Sequence, residues 1–315
     1  MKFRKFSSIE NSYRQAFVQK IVESGYDRIP YIVTEKIHGA NFSFWISNDE
    51  IRIASRSQFV DENFYSCKEV VEKYRNNLSQ MKRNEFPNIE YIAVYGELYG
   101  PGIQKGIYYG KEKNFAAFEV SVNSDPDLTL SVKYAKDLLN KYEIPFVPIL
   151  GEFDSLQEAL EYPNEFDSKV PVLLNNCDPS EIPSSNICEG VVISPMGSYY
   201  LPNGDKIILK NKNEKWGEKQ ESPRGQKTRI ELETFGAENY INENRMNAVI
   251  SKIGGISQKD FGRVIREMSE DVVEEMVKDG IIPDNWRSFE GSKSLGKAVT
   301  GLVSIFLKKE LFPKL

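Results

Sequence analysis

The stretch TEKIHGANF, residues 34–42, sets Lys36, His38 and Gly39 between two apolar runs, and His38 is the only histidine in 315 residues. A lysine amine is a nucleophile only when neutral. Its ordinary pKa is about 10.4, so burial, neighbouring cations or a bound metal must lower it. Lys36 follows the apolar YIV and precedes a glycine that opens the backbone, which places it at a strand end where partial burial is available. Two carboxylates invite the same scrutiny. Glu97 ends one apparent buried strand and Glu189 begins another, and carboxylates are seldom buried unless paired or holding a metal. Beside a group of cations they suit a divalent ion with oxygen ligands, most naturally Mg²⁺, against the plain reading of two salt bridges. Phe118, in FAAFEV, is core packing by default and otherwise an aromatic platform for a base. Taken singly, Lys36 reads as an exposed lysine and His38 as a hydrogen-bonded structural histidine.

The elements that must carry these residues are mostly strands. Residues 31–56 read as a hairpin: FSFWI and IRIAS are the strands and SNDE is the turn. With Ile46 opposite Ile51, Asn41 falls opposite Arg56, which returns a cation to the end of the ribbon where Lys36 lies. YIAVYGELYG (91–100) and NFAAFEV (114–120) look like buried strands, and GPGIQKG between them is a turn-rich loop. EGVVISP (189–195) is another β-branched run. A hairpin at Asn203-Gly204 then returns a strand on which Lys206, Ile208, Lys210 and Lys212 share one face, because side chains alternate with period two. Helical segments are expected at 64–82 and 130–142. Beyond SPRGQKTRIELETFG, a polar linker, the apolar residues recur at three- and four-residue steps, as in helices.

Composition narrows the classes. A chain with 40% apolar and 28% charged residues is an ordinary globular one. No signal peptide is read at the N-terminus, and AVTGLVSIFL is about half the length a membrane span needs. Cys67, Cys177 and Cys188, with no CxxC, give neither a disulfide framework nor a zinc site, so a reducing compartment is expected. The net charge of −5 argues against coating nucleic acid through bulk charge. A local groove is a different matter: residues 210–229 carry seven Lys or Arg against three Glu, or +4. There is no GxxxxGK(S/T) and no GxGxxG, so any nucleotide phosphates must be held by side-chain cations such as Arg56, Lys210 and Lys212.

Together these stretches resemble the covalent nucleotidyltransferases, the superfamily of ATP-dependent ligases and capping enzymes. EKIHGANF, SRSQF, VYGELYGPG, FAAFEV, EGVVI and LKNKNEKWGEK resemble its six motifs, in family order and at compatible spacing. His38 stands where the superfamily at large has an aspartate. KIHGxNF is the form of the phage-type RNA ligase 2 family and the trypanosome RNA-editing ligases, and NRMNAVISKIGGISQKDFGRV is similar to the C-terminal domain of the phage enzymes. The resemblance implies an α+β fold: an ATP-grasp-like adenylyltransferase domain of antiparallel sheets and helices over 1–229, a linker at 230–237, and an all-helical domain over 238–315. It implies a nick-sealing RNA ligase acting through lysyl-AMP, with a DNA or mixed RNA/DNA nick ligase as the alternative enzyme and an inactive RNA-binding relative as the non-enzymatic one. By it, Lys36 takes AMP, with His38, Lys210 and Lys212 catalytic. Glu35, Asn41, Arg56, Glu97, Phe118, Glu189, Lys210 and Lys212 contact the nucleotide, Glu97 and Glu189 hold Mg²⁺ or Mn²⁺, and Arg245 and Asp271 contact RNA. ATP, nicked duplex RNA or an RNA/DNA hybrid, no membrane, a monomer and a cytoplasmic or host-cytoplasmic place complete the expectation.

Overall fold

The computed structural model describes residues 1–123, 128–217, 236–254, 260–288 and 292–311. Its backbone divides into two compact units, Met1–Asn213 and Glu214–Leu315. The boundary expected at 229–230, and the part of the basic run beyond residue 217, lie outside the described residues.

Two sheets build the first unit. One has five strands in the order β1 (Glu10–Asn11), β11 (Leu209–Lys212), β10 (Gly190–Pro195), β2 (Tyr31–Glu35) and β9 (Ile149–Phe153). The other has six, in the order β5 (Phe59–Val60), β4 (Ile51–Ser55), β3 (Ala40–Ser47), β6 (Tyr91–Tyr99), β7 (Asn114–Val122) and β8 (Leu128–Thr129). Alternation sorts their side chains. Phe42, Phe44 and Ile46 of β3 enter a core shared with α2 (Lys68–Glu85) and α3 (Val132–Lys141). Trp45, on the other face of β3, joins Tyr91, Ala93, Tyr95, Phe6 and Ile208 in a cluster between the sheets. The far face of the five-stranded sheet is covered by α1 (Gln15–Glu23) and α4 (Leu156–Leu160), through Phe17, Ile21, Leu156 and Ala159. Four-residue α5 (Val170–Leu173) is the remaining α-helix among this unit's described residues.

The expected register, Ile46 against Ile51, is present, and it continues to Phe42 against Ser55. Two expectations change. Tyr31–Glu35 is not part of that hairpin: it pairs with β10 and β9 in the other sheet, so residues 36–39 form a crossover from one sheet to the other. The turn at Asn203-Gly204 closes only a bridge between Tyr200 and Lys206, and β11 starts later and pairs with β10 rather than across the turn.

The second unit packs α6 (Glu243–Ile253), α7 (Phe261–Lys278) and α8 (Ser292–Leu311) around Met246, Val249, Val264, Met268, Val272, Val299 and Val303. Asn242 caps α6 by accepting the Arg245 N–H at 2.9 Å. No described helix is long and apolar enough to cross a membrane, and the three cysteines are free thiols.

Candidate active site

Lys36 follows the last residue of β2, Glu189 precedes the first residue of β10, and Lys212 ends β11. Register makes them neighbours. Gly190 stands opposite Lys212, and the Lys36 N–H donates to the Gly190 carbonyl at 3.0 Å. A Cβ on Gly190, which has φ +141°, would come within 2.1 Å of the Asn211 carbonyl oxygen, so only glycine lets the strands meet this closely there. Three cationic or polar heads converge on the Glu189 carboxylate as a result. Lys36 Nζ is 2.7 Å from Oε2, Lys212 Nζ is 2.9 Å from Oε1, and His38 Nδ1 is 3.4 Å from Oε2. Burial pushes this carboxyl up, yet Lys212, Lys36 and His38 together hold it well below the usual carboxylate range.

The crossover delivers the second half of the site. A Cβ on Gly39 would lie 2.3 Å from the Leu98 carbonyl oxygen and 2.9 Å from Glu97 Cγ. A glycine is therefore required for the loop to pass over β6. Glu97 stands opposite Asn41 in the β3–β6 register. Burial pushes the Glu97 carboxyl up to about 8, against the lowering effects of Lys36, the Gly39 N–H and Arg56. The Asn41 side-chain amide oxygen, Oδ1, is buried with no hydrogen-bond partner among the described residues. These two glutamates thus differ in kind: one is saturated with donors, the other short of positive charge. Because Glu97 is held neutral by burial, it should cost stability as pH rises from about 4.5 to about 8. Glu97→Gln is expected to raise Tm by several degrees at pH 9 and to leave it unchanged at pH 4. An equal shift at both pH values in thermal unfolding would contradict that origin.

Phe118 reaches the same cleft through an irregularity. Tyr95 pairs with Glu119 and Gly96 with Ala117, so Phe118 is the extra residue of a β-bulge. Val120, two positions on, faces the helix-covered core, and strict alternation would send Phe118 there too. The bulge instead lets both Phe118 and Glu119 line the cleft between the sheets. Glu119 forms a salt bridge with Lys206 across that cleft. Phe6 meets the Phe118 ring with centroids 5.0 Å apart, and Ile9 lines the same wall.

The remaining expected residues divide. Lys210 faces the cleft by register, opposite Val192, which lines it. Arg56 lies close enough to lower the Glu97 carboxyl and donates to Ser8 Oγ at 3.4 Å. Glu35 has the other parity. Its carboxylate accepts from Ser168 Oγ at 2.5 Å and the Lys169 N–H at 2.8 Å, and burial pushes it up to about 7. A nucleotide in the cleft would meet its main chain rather than this carboxyl.

Arg245 and Asp271, expected at RNA, face each other inside the second unit. Arg245 is 1% exposed, donates through Nε to the Tyr240 carbonyl at 2.7 Å and through Nη1 to the Asp271 carboxylate. Lys252 Nζ is 2.6 Å from the second Asp271 oxygen. In this structure the pair ties α6 to α7 and offers no outward guanidinium.

Sequence reasoning missed the N-terminal wall of Phe6 and Ile9, whose residue types advertise no chemistry. It also missed Tyr109. This buried tyrosine accepts the His38 N–H at 2.8 Å, its ring lies 5.2 Å from Tyr99, and its carbonyl accepts from the Asn175 side chain. Tyr109→Phe leaves the His38 N–H without that acceptor, a loss of about 1–2 kcal/mol. Covalent nucleotide uptake should slow about tenfold with little change in the KM for nucleotide. A wild-type rate would show that the crossover is held without it.

A family model described as RNA ligase matches residues 29–212. A second, described as T4 RNA ligase 2 C-terminal, matches residues 236–300. Among solved structures the chain is similar to a variant of Naegleria gruberi RNA ligase with ATP and Mn, at 16% identity and a TM-score of 0.49, over 69% of this chain and 58% of that one. It is similar also to the same ligase with PPi, at 18% identity and a TM-score of 0.47, over 68% of this chain and 57% of that one. The chain therefore spans less than two thirds of the length of either neighbour.

Proposed function

The chain belongs to the RNA ligase family, with a C-terminal part of the phage RNA ligase 2 kind, and on that footing we propose that it is an ATP-dependent ligase sealing 3′-OH/5′-phosphate nicks in duplex RNA. The observation that carries this reading is the convergence of Lys36, Lys212 and His38 on the buried Glu189 at a cleft lined by Phe118. Such an arrangement supplies a nucleophilic amine, a fixed counter-charge and an aromatic surface for a base, without any phosphate-binding glycine loop.

In the first step, the Lys36 amine sheds its proton and attacks the α-phosphorus of ATP. A P–N bond forms, the bond to the β-phosphate oxygen breaks, and pyrophosphate leaves. In the second, a 5′-phosphate oxygen attacks the same phosphorus, the P–N bond breaks, and Lys36 recovers a proton as the 5′ end becomes an adenylate. In the third, the 3′-OH loses its proton and attacks the 5′-phosphorus, and AMP departs. Lys212, Lys210 and Arg56 neutralise charge on the phosphates in this reading, which is the main catalytic demand of such transfers. Glu189 keeps Lys36 and Lys212 in register between turnovers, and Phe118 with Phe6 supplies the base platform.

A divalent ion fits the residues present. Glu97 is a carboxyl short of positive charge, and Asn41 offers a buried side-chain amide oxygen, Oδ1, with no other partner among the described residues. No group of three or more His, Cys, Asp or Glu among the described residues could hold an ion alone. That suits Mg²⁺ or Mn²⁺, which bind through one or two carboxylates together with substrate phosphates. When bound, the ion supplies charge neutralisation on the triphosphate.

The test is incubation of the full chain with α-labelled ATP, followed by a denaturing gel. Label should stay with the protein and should move to a nicked RNA duplex added afterwards, which becomes sealed. Absence of label on the protein would overturn the reading. Preference for a deoxyribose 3′-OH at the nick would reassign the substrate to DNA.

A further inference from the structure

Charge is unevenly spread over the second unit. α8 runs for 20 residues and exposes Lys293, Lys297, Lys308 and Lys309. At about 100° per residue, Lys293, Lys297 and Lys308 fall on one stripe roughly 60° wide. Leu295, Val299, Val303 and Leu307 form the buried row on the other side. Between the lysines the stripe carries only Thr300, Gly301 and Ser304, so its middle is low and polar. The helix's one acid, Glu310, falls away from the stripe. Lys308 lies eleven residues beyond Lys297, which is about 16 Å along the axis.

These cations differ from four others of the unit. Arg245 and Lys252 are taken up by Asp271, Arg266 by Glu267 and Lys278 by Glu275. Among the described residues none of the four α8 lysines has an ion-pair partner. A straight row of unpaired ammonium groups, separated by small side chains, is complementary to a rod whose negative charges recur along its length. With Arg245 turned inward, the stripe is an outward cationic surface that the unit's described residues offer such a rod.

We infer that the α8 stripe of Lys293, Lys297 and Lys308 is a contact surface for the phosphate backbone of duplex RNA. The inference rests on the RNA-joining reading and assigns its partner to one helix face. Contacts of this kind position a duplex without reading its sequence, and each released counterion makes binding weaker in salt.

The full chain and nicked duplex RNA serve as the probe, with affinity followed over a series of NaCl concentrations. The triple variant Lys293→Gln, Lys297→Gln, Lys308→Gln should lower the slope of log affinity against log salt by about two to three. It should weaken binding at low salt on the order of ten- to a hundredfold. Its label uptake from α-labelled ATP and its Tm should match wild type. A control triple in the first unit, Lys20→Gln, Arg28→Gln, Lys136→Gln, removes the same charge from two exposed positions and one half-exposed position and should leave the slope unchanged. A wild-type slope for the α8 variant, or an equal fall for the control, overturns the assignment. Failure of the wild-type chain to take label overturns the ligase reading instead, so the two failures are told apart.

Discussion

Lys36→Ala is expected to take up no label from α-labelled ATP, a loss of at least about 10³-fold, while the chain remains folded. The amine is the atom that must bond to phosphorus, and the other side chain seen at Glu189 Oε2 among the described residues is the His38 imidazole at 3.4 Å. Folding should survive because Glu189 keeps Lys212 at 2.9 Å and His38 as partners. The same variant separates the steps. Sealing of a nick whose 5′ end already carries AMP makes no use of the P–N bond, so it should persist. Equal label on variant and wild type would assign the covalent attachment to another residue, and loss of sealing on the pre-adenylated nick would give Lys36 a further duty in the last step.

Glu189→Gln should fail on both substrates. The carboxylate is the common partner of Lys36, Lys212 and His38, and an amide leaves two ammonium groups facing one another with no counter-charge. Breaking a buried ion pair costs about 3–5 kcal/mol. Lys36 retains 20% exposure, so the lower end, about 3 kcal/mol, is expected. Activity should fall by more than about 10³-fold with ATP and also with the pre-adenylated nick. The pH dependence gives the origin. A carboxyl held well below its usual range contributes stability that is fully present above the unfolded value near about 4.3 and is lost as pH falls beneath it. The Tm gap between wild type and Glu189→Gln should therefore be full at pH 7 and shrink as pH is lowered below about 4. A gap of the same size at both would mean that shape, not charge, was removed.

Much of this site was legible because its chemistry is local. KIHG announces a lysine before a glycine, and the close approach of Gly39 to the Leu98 carbonyl explains why no other residue would serve there. The Ile46–Ile51 register follows from a four-residue turn, and it carries Arg56 back toward Asn41. The sheet assignment of Tyr31–Glu35 was hidden, because its partner Gly190–Pro195 lies far along the chain and nothing local distinguishes that pairing from a hairpin. Period-two alternation could place Glu35 and Lys36 on opposite faces once the strand was known, but not say which face the cleft would occupy. Arg245 and Asp271 sat on helical patterns, which locate residues along an axis without revealing that two helices turn those residues toward each other. Phe6 and Ile9 carried no signal at all beyond being apolar.

The bulge at Phe118 has a consequence for how β7 can change over generations. Substitutions on that strand act one side chain at a time, but an added or lost residue between Asn114 and Phe118 changes the register in which the strand meets β6. Removing one would turn the aromatic ring into the helix-packed interior, while Glu119, still opposite Tyr95, would keep its place in the cleft. The aromatic part of that wall thus depends on the length of the segment and not only on its residue types. Variation in this segment should be nearly forbidden in residue number, and the burial of Phe115, Ala116 and Ala117 narrows it in residue type as well.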